Sequence, residues 1–153
     1  MQVKVELQLA CTPDEPLPDA GTLEQWARCA LETGGRHENS ELTLRLVERS
    51  EIRELNSRYR HQDRETNILS FEFECPPGLK LPLIGDLVIC WDVLKEEAAA
   101  QHKTTKEHLA LLLIHGCLHL IGYDHLKPED AAVMEPLEIT ALKKLGFADP
   151  YNE

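Results

Sequence analysis

Residues 109–125 of this chain read LALLLIHGCLHLIGYDH, an apolar run that leads into three histidines. The run predicts a buried helix, and at 3.6 residues per turn His115 and His119 lie on one face of it. We expect Gly122 to end the helix, because glycine adopts the left-handed conformation without steric cost. The chain can then turn back and bring His125 to the same point. Three imidazole ligands with one open coordination position are typical of a catalytic zinc site.

The spacing H-x-x-x-H-x-x-G-x-x-H also resembles the signature of the metzincin proteases, with one difference. Those proteases carry their general base, a glutamate, directly after the first histidine, and here that position is Gly116. The spacing therefore predicts a metal site without the proton-transfer group of a peptidase. A peptidase would need another base, for which Asp124 and Glu138 are the candidates.

Other side chains near the motif have less specific interpretations. Asp124 could replace His125 as a ligand, but we favour a role in orienting a histidine. His108 precedes His115 by two turns, about 10 Å, which is too far to share one ion. Cys117 should point into the core. Three imidazoles predict zinc, although nickel and copper also accept nitrogen ligands.

Length and composition favour an ordinary globular protein. The 153 residues predict a single domain over residues 1–153, large enough for a hydrophobic core. The five cysteines contain no C-x-x-C pair, which indicates reduced thiols and a cytoplasmic location. The N-terminus lacks a signal sequence, and no apolar run reaches about 18 residues, so we expect no membrane span.

The charge is unevenly distributed. A net charge of −11 disfavours general binding of polyanions. Residues 45–64 nevertheless contain a group of arginines that could hold a phosphate: Arg45, Arg49, Arg53, Arg58, Arg60 and Arg64. For the first three of these, ion pairs along a solvated helix are the favoured interpretation.

Hydrophobic periodicity predicts four strands and five helices. Alternating or continuous apolar residues predict strands in residues 3–9, 42–46, 66–73 and 84–91. The order is βαβαββ followed by helices, which indicates an α+β (mixed α/β) fold with one sheet.

Several residues predict where these helices begin and end. Thr22 with Gln25 predicts a capping box for the first helix, and Gly34-Gly35 should end it. Ser50 should cap a second, short helix, and a third should run from Asp92 to Ala100. Two more starting points are predicted, a Thr104/Glu107 capping box before the histidine helix and Pro128 before the last helix, which Gly146 should end.

The histidine motif HGCLHLIGYDH is similar to the signature of the YbeY family, bacterial rRNA maturation factors and single-strand-specific endoribonucleases. Further blocks resemble the family in the same order: residues 55–60 with Asp63, residues 66–71, residues 85–89, and Met134 with Glu138. The resemblance covers roughly residues 52–140. In one departure, Glu72 follows Phe71 where many relatives have proline.

The resemblance implies a central mixed four-stranded sheet packed with helices and a zinc ion in a cleft, held by His115, His119 and His125. It also implies a functional arginine at Arg60. The implied role is maturation of the 3′ end of 16S rRNA and ribosome quality control. The implied partners are single-stranded RNA in the small ribosomal subunit, a small-subunit ribosomal protein and the GTPase Era.

The expected chemistry is metal-dependent hydrolysis of RNA, with His115, His119 and Arg60 as catalytic residues. Zinc would act as a Lewis acid or lower the pKa of bound water, and Arg60 would clamp the phosphate. The nucleophile stays open between the RNA 2′-hydroxyl and hydroxide. The alternatives are a non-catalytic, zinc-stabilised ribosome assembly factor and, less favoured, a zinc peptidase.

Overall fold

The computed structural model describes residues 1–124 and 126–151. Its elements follow the predicted order: β1 (Val3–Ala10), α1 (Ala20–Thr33), β2 (Ser40–Val47), α2 (Arg49–Arg60), β3 (Ile68–Glu72), β4 (Leu83–Cys90), α3 (Trp91–Ala100), α4 (Thr105–Leu120) and α5 (Pro128–Lys144). The α+β class is therefore confirmed. None of the helices in the described ranges is both long and apolar enough to cross a lipid bilayer.

The four strands form one mixed sheet in the order β1-β2-β4-β3. Strands β1, β2 and β4 are parallel, whereas β3 pairs antiparallel with β4 and forms an edge of the sheet. Leu44 in the middle of β2 pairs with Leu7 on one side and Leu87 on the other. The predicted mixed four-stranded sheet is thus confirmed. Residues of its edge strand β3 also line a cleft.

Helices cover both faces of the sheet. A larger hydrophobic core lies between one face of the sheet and helices α1, α4 and α5. A smaller core includes Ile52 of α2 and consists of Val47, Ile52, Leu69, Val88 and Cys90. Gly116 lets α4 approach the sheet closely, because a Cβ there would lie 2.7 Å from Leu87 Cδ2 and 2.9 Å from Ile68 Cδ1. The histidine-bearing turn of α4 consequently lies against β3 and β4.

The predicted helix starts were partly wrong. Thr104 and Glu107 do form a capping box, but α1 is capped by Asp19, whose Oδ1 accepts the Thr22 N–H at 2.8 Å. Aspartate is as good an N-cap as threonine is or better, and it comes first in the chain. Ser50 lies inside α2, which begins after Glu48, a residue without a side-chain cap. A sequence pattern of caps could not predict that start.

Candidate active site

Helix α4 brings two of the predicted ligands into contact. The rings of His115 and His119 have centroids 4.6 Å apart, and their Nε2 atoms are separated by 3.1 Å. Both residues are partly buried, in a helix whose other positions are mostly core. The prediction that they lie together on one face of a helix is confirmed.

Gly122 ends this helix as predicted. Its φ is +105°, and its N–H donates to the carbonyl of His119 at 3.0 Å, while the Tyr123 N–H donates to the carbonyl of Leu118 at 3.1 Å. This pair of bonds is a Schellman motif, which reverses the chain after α4. The Tyr123 hydroxyl then donates to the carbonyl of Gly34 and ties the turn to α1. His125 lies outside the described residues, so its role as third ligand stays a prediction.

A buried carboxylate orients His115. Glu138 of α5 is 1% exposed, and its Oε1 lies 2.8 Å from His115 Nδ1. When Nδ1 carries the proton, it donates to Glu138 and leaves Nε2 with a lone pair directed toward His119. Glu138 lies in one of the blocks that resemble the family and was a candidate base, but no sequence pattern indicated its contact with His115.

Tyr151 completes the network and was missed by sequence analysis. Its hydroxyl donates to Glu138 Oε2 at 2.8 Å. Burial raises the pKa of the Tyr151 phenol, and the hydrogen bond to Glu138 raises it further, so the phenol stays a donor. No sequence signal indicates this contact, because it depends on the chain folding back after α5.

The donor set fits a zinc ion. Tetrahedral geometry with Zn–N bonds of about 2.0–2.1 Å places two ligand nitrogens about 3.3–3.4 Å apart. The 3.1 Å between the Nε2 atoms of His115 and His119 is close to that separation. A carboxylate on the far nitrogen of a ligating histidine is also the usual arrangement at zinc sites. Within residues 1–124 and 126–151 no three histidine, cysteine or acidic side chains form a metal-binding group.

The histidines and the predicted arginine line the same cleft, which has a volume of about 1440 Å³. Arg60, at the end of α2, donates from Nη2 to the carbonyl of Ser70 at 2.7 Å, and its guanidinium carbon lies 5.1 Å from the centroid of the Phe71 ring. The cleft therefore unites Arg60 with His115 and His119, although the sequence places them about 55 residues apart.

Arg60 also differs from most of the other arginines of residues 45–64, which form ion pairs with carboxylates. Arg45 pairs with Glu51, Arg49 with Glu65 and Arg53 with Asp63, each with a shortest N–O distance of 2.7 or 2.8 Å. These arginines do form ion pairs, but the predicted ladder along one helix was wrong. Arg45 lies in β2, and all three partners are six or more residues away rather than one helical turn. Among the described residues, no carboxylate is within ion-pair distance of Arg60.

Two of the secondary predictions are also decided by the structure. His108 is 3% exposed, and its Nε2 lies 2.9 Å from Glu97 Oε1, so it belongs to a separate network at the cleft. Asn67 donates to the same carboxylate at 3.1 Å. Cys117 is fully buried, and burial raises the pKa of its thiol to about 12, which confirms it as a core residue.

The chain is similar to known proteins over most of its length. The family model described as Endoribonuclease YbeY matches residues 15–146. A protein named Endoribonuclease YbeY from Colwellia psychrerythraea is 48% identical over 151 residues, covering 97% of each chain. Its namesake from Psychromonas ingrahamii is 46% identical over 153 residues, covering 99% of this chain and 97% of that one. A Thermotoga maritima protein with a known solution structure shares the fold, with a TM-score of 0.55 and 24% identity over 97% of this chain and 99% of that one. The chain therefore belongs to the endoribonuclease YbeY family.

Proposed function

We propose that this protein is a metal-dependent endoribonuclease that cleaves single-stranded RNA during the maturation of ribosomal RNA. The observation that carries the proposal is the pair of Nε2 atoms of His115 and His119, 3.1 Å apart in a cleft that Arg60 also lines. The names of the relatives support the reaction class. A metal site and a guanidinium that line one cleft suit a phosphodiester substrate.

His115, His119 and, by the sequence motif, His125 would hold the ion. When bound there, zinc would supply Lewis acidity toward a phosphate oxygen and would lower the pKa of a water molecule. Glu138 would accept a hydrogen bond from the Nδ1–H of His115, which would favour the tautomer with its lone pair on Nε2 and fix the plane of the ring. Tyr151 in turn fixes the second oxygen of Glu138.

Arg60 would bind the scissile phosphate. Its Nη2 bond to the Ser70 carbonyl and its position over Phe71 fix the guanidinium plane before the substrate arrives. Since a guanidinium has five N–H donors, enough remain for a two-point contact with phosphate oxygens. Such a contact stabilises the additional negative charge of the pentavalent transition state.

The chain handles protons differently from a metzincin protease. A Cβ at position 116 would lie within 3 Å of the side-chain ends of Leu87 and Ile68, so a glutamate there would require those two side chains to shift. Glu138 is buried and already accepts two hydrogen bonds, which suits an orienting group better than a general base. An RNA substrate can supply its own nucleophile, the 2′-hydroxyl, so the protein need not position a water molecule for the attack. The proton of that hydroxyl would still pass to a base other than Glu138.

The place of this reaction in the cell follows from the family resemblance. We propose cytoplasmic action at the 3′ end of 16S rRNA, in maturation and in ribosome quality control. The small ribosomal subunit, one of its proteins and the GTPase Era would be the partners. The alternative, a non-catalytic assembly factor, would have the same partners. The experiment below distinguishes it from a nuclease.

The test is a cleavage assay on a short single-stranded RNA and on its all-deoxy analogue. We expect cleavage of the RNA that is lost after chelation and restored by Zn²⁺, and that is lost in His119→Ala and Arg60→Ala. Arg53→Ala is the matched control, because Arg53 lies on the same helix but is paired with Asp63. Thermal melting of each variant is needed, since metal binding also contributes to folding.

Cleavage that survives both chelation and His119→Ala would contradict the proposed metal-dependent reaction. Absence of any cleavage by the zinc-loaded protein, together with normal rRNA processing in cells that carry Arg60→Ala, would favour the assembly factor.

A further inference from the structure

Three side chains form a partly exposed cluster beside the cleft. Tyr59 and Arg60 come from the last turn of α2, and Phe71 comes from the edge strand β3. The rings of Tyr59 and Phe71 meet edge to face, with centroids 5.3 Å apart and planes at 72°. The guanidinium carbon of Arg60 lies 5.1 Å from the Phe71 centroid. We call these three residues the aromatic platform.

The platform leaves a large aromatic side chain in water. Tyr59 is 52% exposed, although Phe71 beside it packs against the smaller core. Exposed single aromatics are ordinary, but this ring meets Phe71, on which Arg60 also packs. Among the described residues, Arg60 has no carboxylate partner. A π-face and a guanidinium in contact are the two surfaces on which a nucleobase stacks.

The platform is continuous with the cleft through Arg60. Arg60 lines the cleft together with His115 and His119, and it also packs on Phe71. Its Nη2 donates to the carbonyl of Ser70 in the edge strand β3. Arg60 therefore contacts both the platform and the cleft at this edge of the sheet. A strand of RNA whose phosphate is held at Arg60 therefore has a neighbouring base within reach of Tyr59.

We propose that the aromatic platform is a base-stacking subsite for an unpaired nucleobase next to the scissile phosphate of a single-stranded RNA. This inference rests on the proposed function for the identity of the ligand. Stacking on Tyr59 requires the base to leave any duplex, because paired bases are stacked on each other and present only their edges. The platform would thus contribute to the selection of unpaired RNA without reading its sequence.

The test measures binding separately from cleavage. A set of short oligoribonucleotides carries 2-aminopurine at one position each, and fluorescence quenching at 4 °C reports stacking while anisotropy reports the Kd. Wild type is compared with Tyr59→Leu, which removes the π-face, and with Tyr59→Phe, which keeps it. A matched oligonucleotide with an abasic nucleotide at the quenched position removes the base but keeps the phosphate.

We expect one position to be quenched by wild type and by Tyr59→Phe but not by Tyr59→Leu. Tyr59→Leu should bind the intact RNA about 5- to 160-fold more weakly. The abasic RNA should bind wild type and Tyr59→Leu equally, since there is then no base to stack. Thermal melting should show all three proteins folded, because Tyr59 is half exposed.

The proposal is overturned if Tyr59→Leu quenches and binds like wild type, or if the variant weakens the binding of intact and abasic RNA by the same factor. The outcome is distinguishable from that of the cleavage assay. Stacking without cleavage would support the base-stacking subsite and contradict the proposed nuclease activity. Cleavage without stacking would support the nuclease activity and contradict the subsite.

Discussion

Replacement of Glu138 should weaken the binding of Zn²⁺ to this protein by an amount that depends on the replacement. Glu138 is 1% exposed and accepts one hydrogen bond from His115 and one from Tyr151, each of 2.8 Å. A hydrogen bond to a charged group contributes about 1.5–3 kcal/mol, and one between neutral groups about 0.5–1.5 kcal/mol. Glu138→Gln keeps a neutral acceptor for His115, so we expect a loss of about 1–1.5 kcal/mol, or about 5- to 12-fold in affinity.

Two further variants set the limits of this effect. Glu138→Ala leaves the buried Nδ1–H of His115 without an acceptor and the ring without a support, so we expect about 10- to 100-fold weaker binding. Tyr151→Phe removes only the outer bond to Glu138, and its effect should be smaller than that of Glu138→Gln. The predicted order of affinity is wild type, Tyr151→Phe, Glu138→Gln and then Glu138→Ala.

The assay is competition for Zn²⁺ with a chromophoric chelator, combined with thermal melting of the metal-free proteins to separate binding from folding. Glu135→Gln is the matched control, because it removes the same charge from an exposed position of the same helix. If Glu138→Ala binds Zn²⁺ within about twofold of this control, the orienting role that we assign to Glu138 is refuted.

Three other predictions concern stability and reactivity. Gly85→Ala should lower the Tm by about 5–15 °C in a calorimetric scan, because at φ +147° the new Cβ would lie 2.2 Å from the backbone oxygen of Phe71; an unchanged Tm would contradict the packing of β3 on β4. Asp19→Ala should destabilise the protein near neutral pH but not in strong acid. The Thr22 N–H lowers the folded-state pKa of Asp19, so the stabilisation is complete above the unfolded-state pKa and is lost as the pH falls through the folded-state value; denaturant titrations that show the same difference in acid would exclude this. Iodoacetamide followed by mass spectrometry should find the exposed Cys75 modified in the native protein and Cys117 only after unfolding, since burial raises the pKa of Cys117 to about 12; equal rates would refute the burial.

Sequence patterns predicted those features that neighbouring residues determine. The Thr104/Glu107 capping box, the start of α5 at Pro128 and the end of α4 at Gly122 each depend on contacts within a few residues. The caps of α1 and α2 were assigned wrongly, because several polar residues near each start compete as caps. Choosing between them requires the position of the whole helix on the sheet.

The site shows the same division. The approach of His115 to His119 follows from helical periodicity alone. The contacts of Glu138 and Tyr151 require α5 to pack on α4 and the chain after it to return, neither of which a periodic pattern specifies. The expected ion pairs of Arg45, Arg49 and Arg53 formed, but with partners that only the tertiary structure brings near.

The amino-acid sequence by itself determined the order of the elements, the histidine helix with its glycine end, and the resemblance to a family. The tertiary structure decided which groups surround those histidines: a buried carboxylate on His115, and Arg60 in the same cleft beside an exposed tyrosine. The physical reason is the separation along the sequence over which each interaction acts. Helical geometry and glycine conformation act over a few residues, whereas burial and contacts between distant segments exist only after the helices have packed on the sheet.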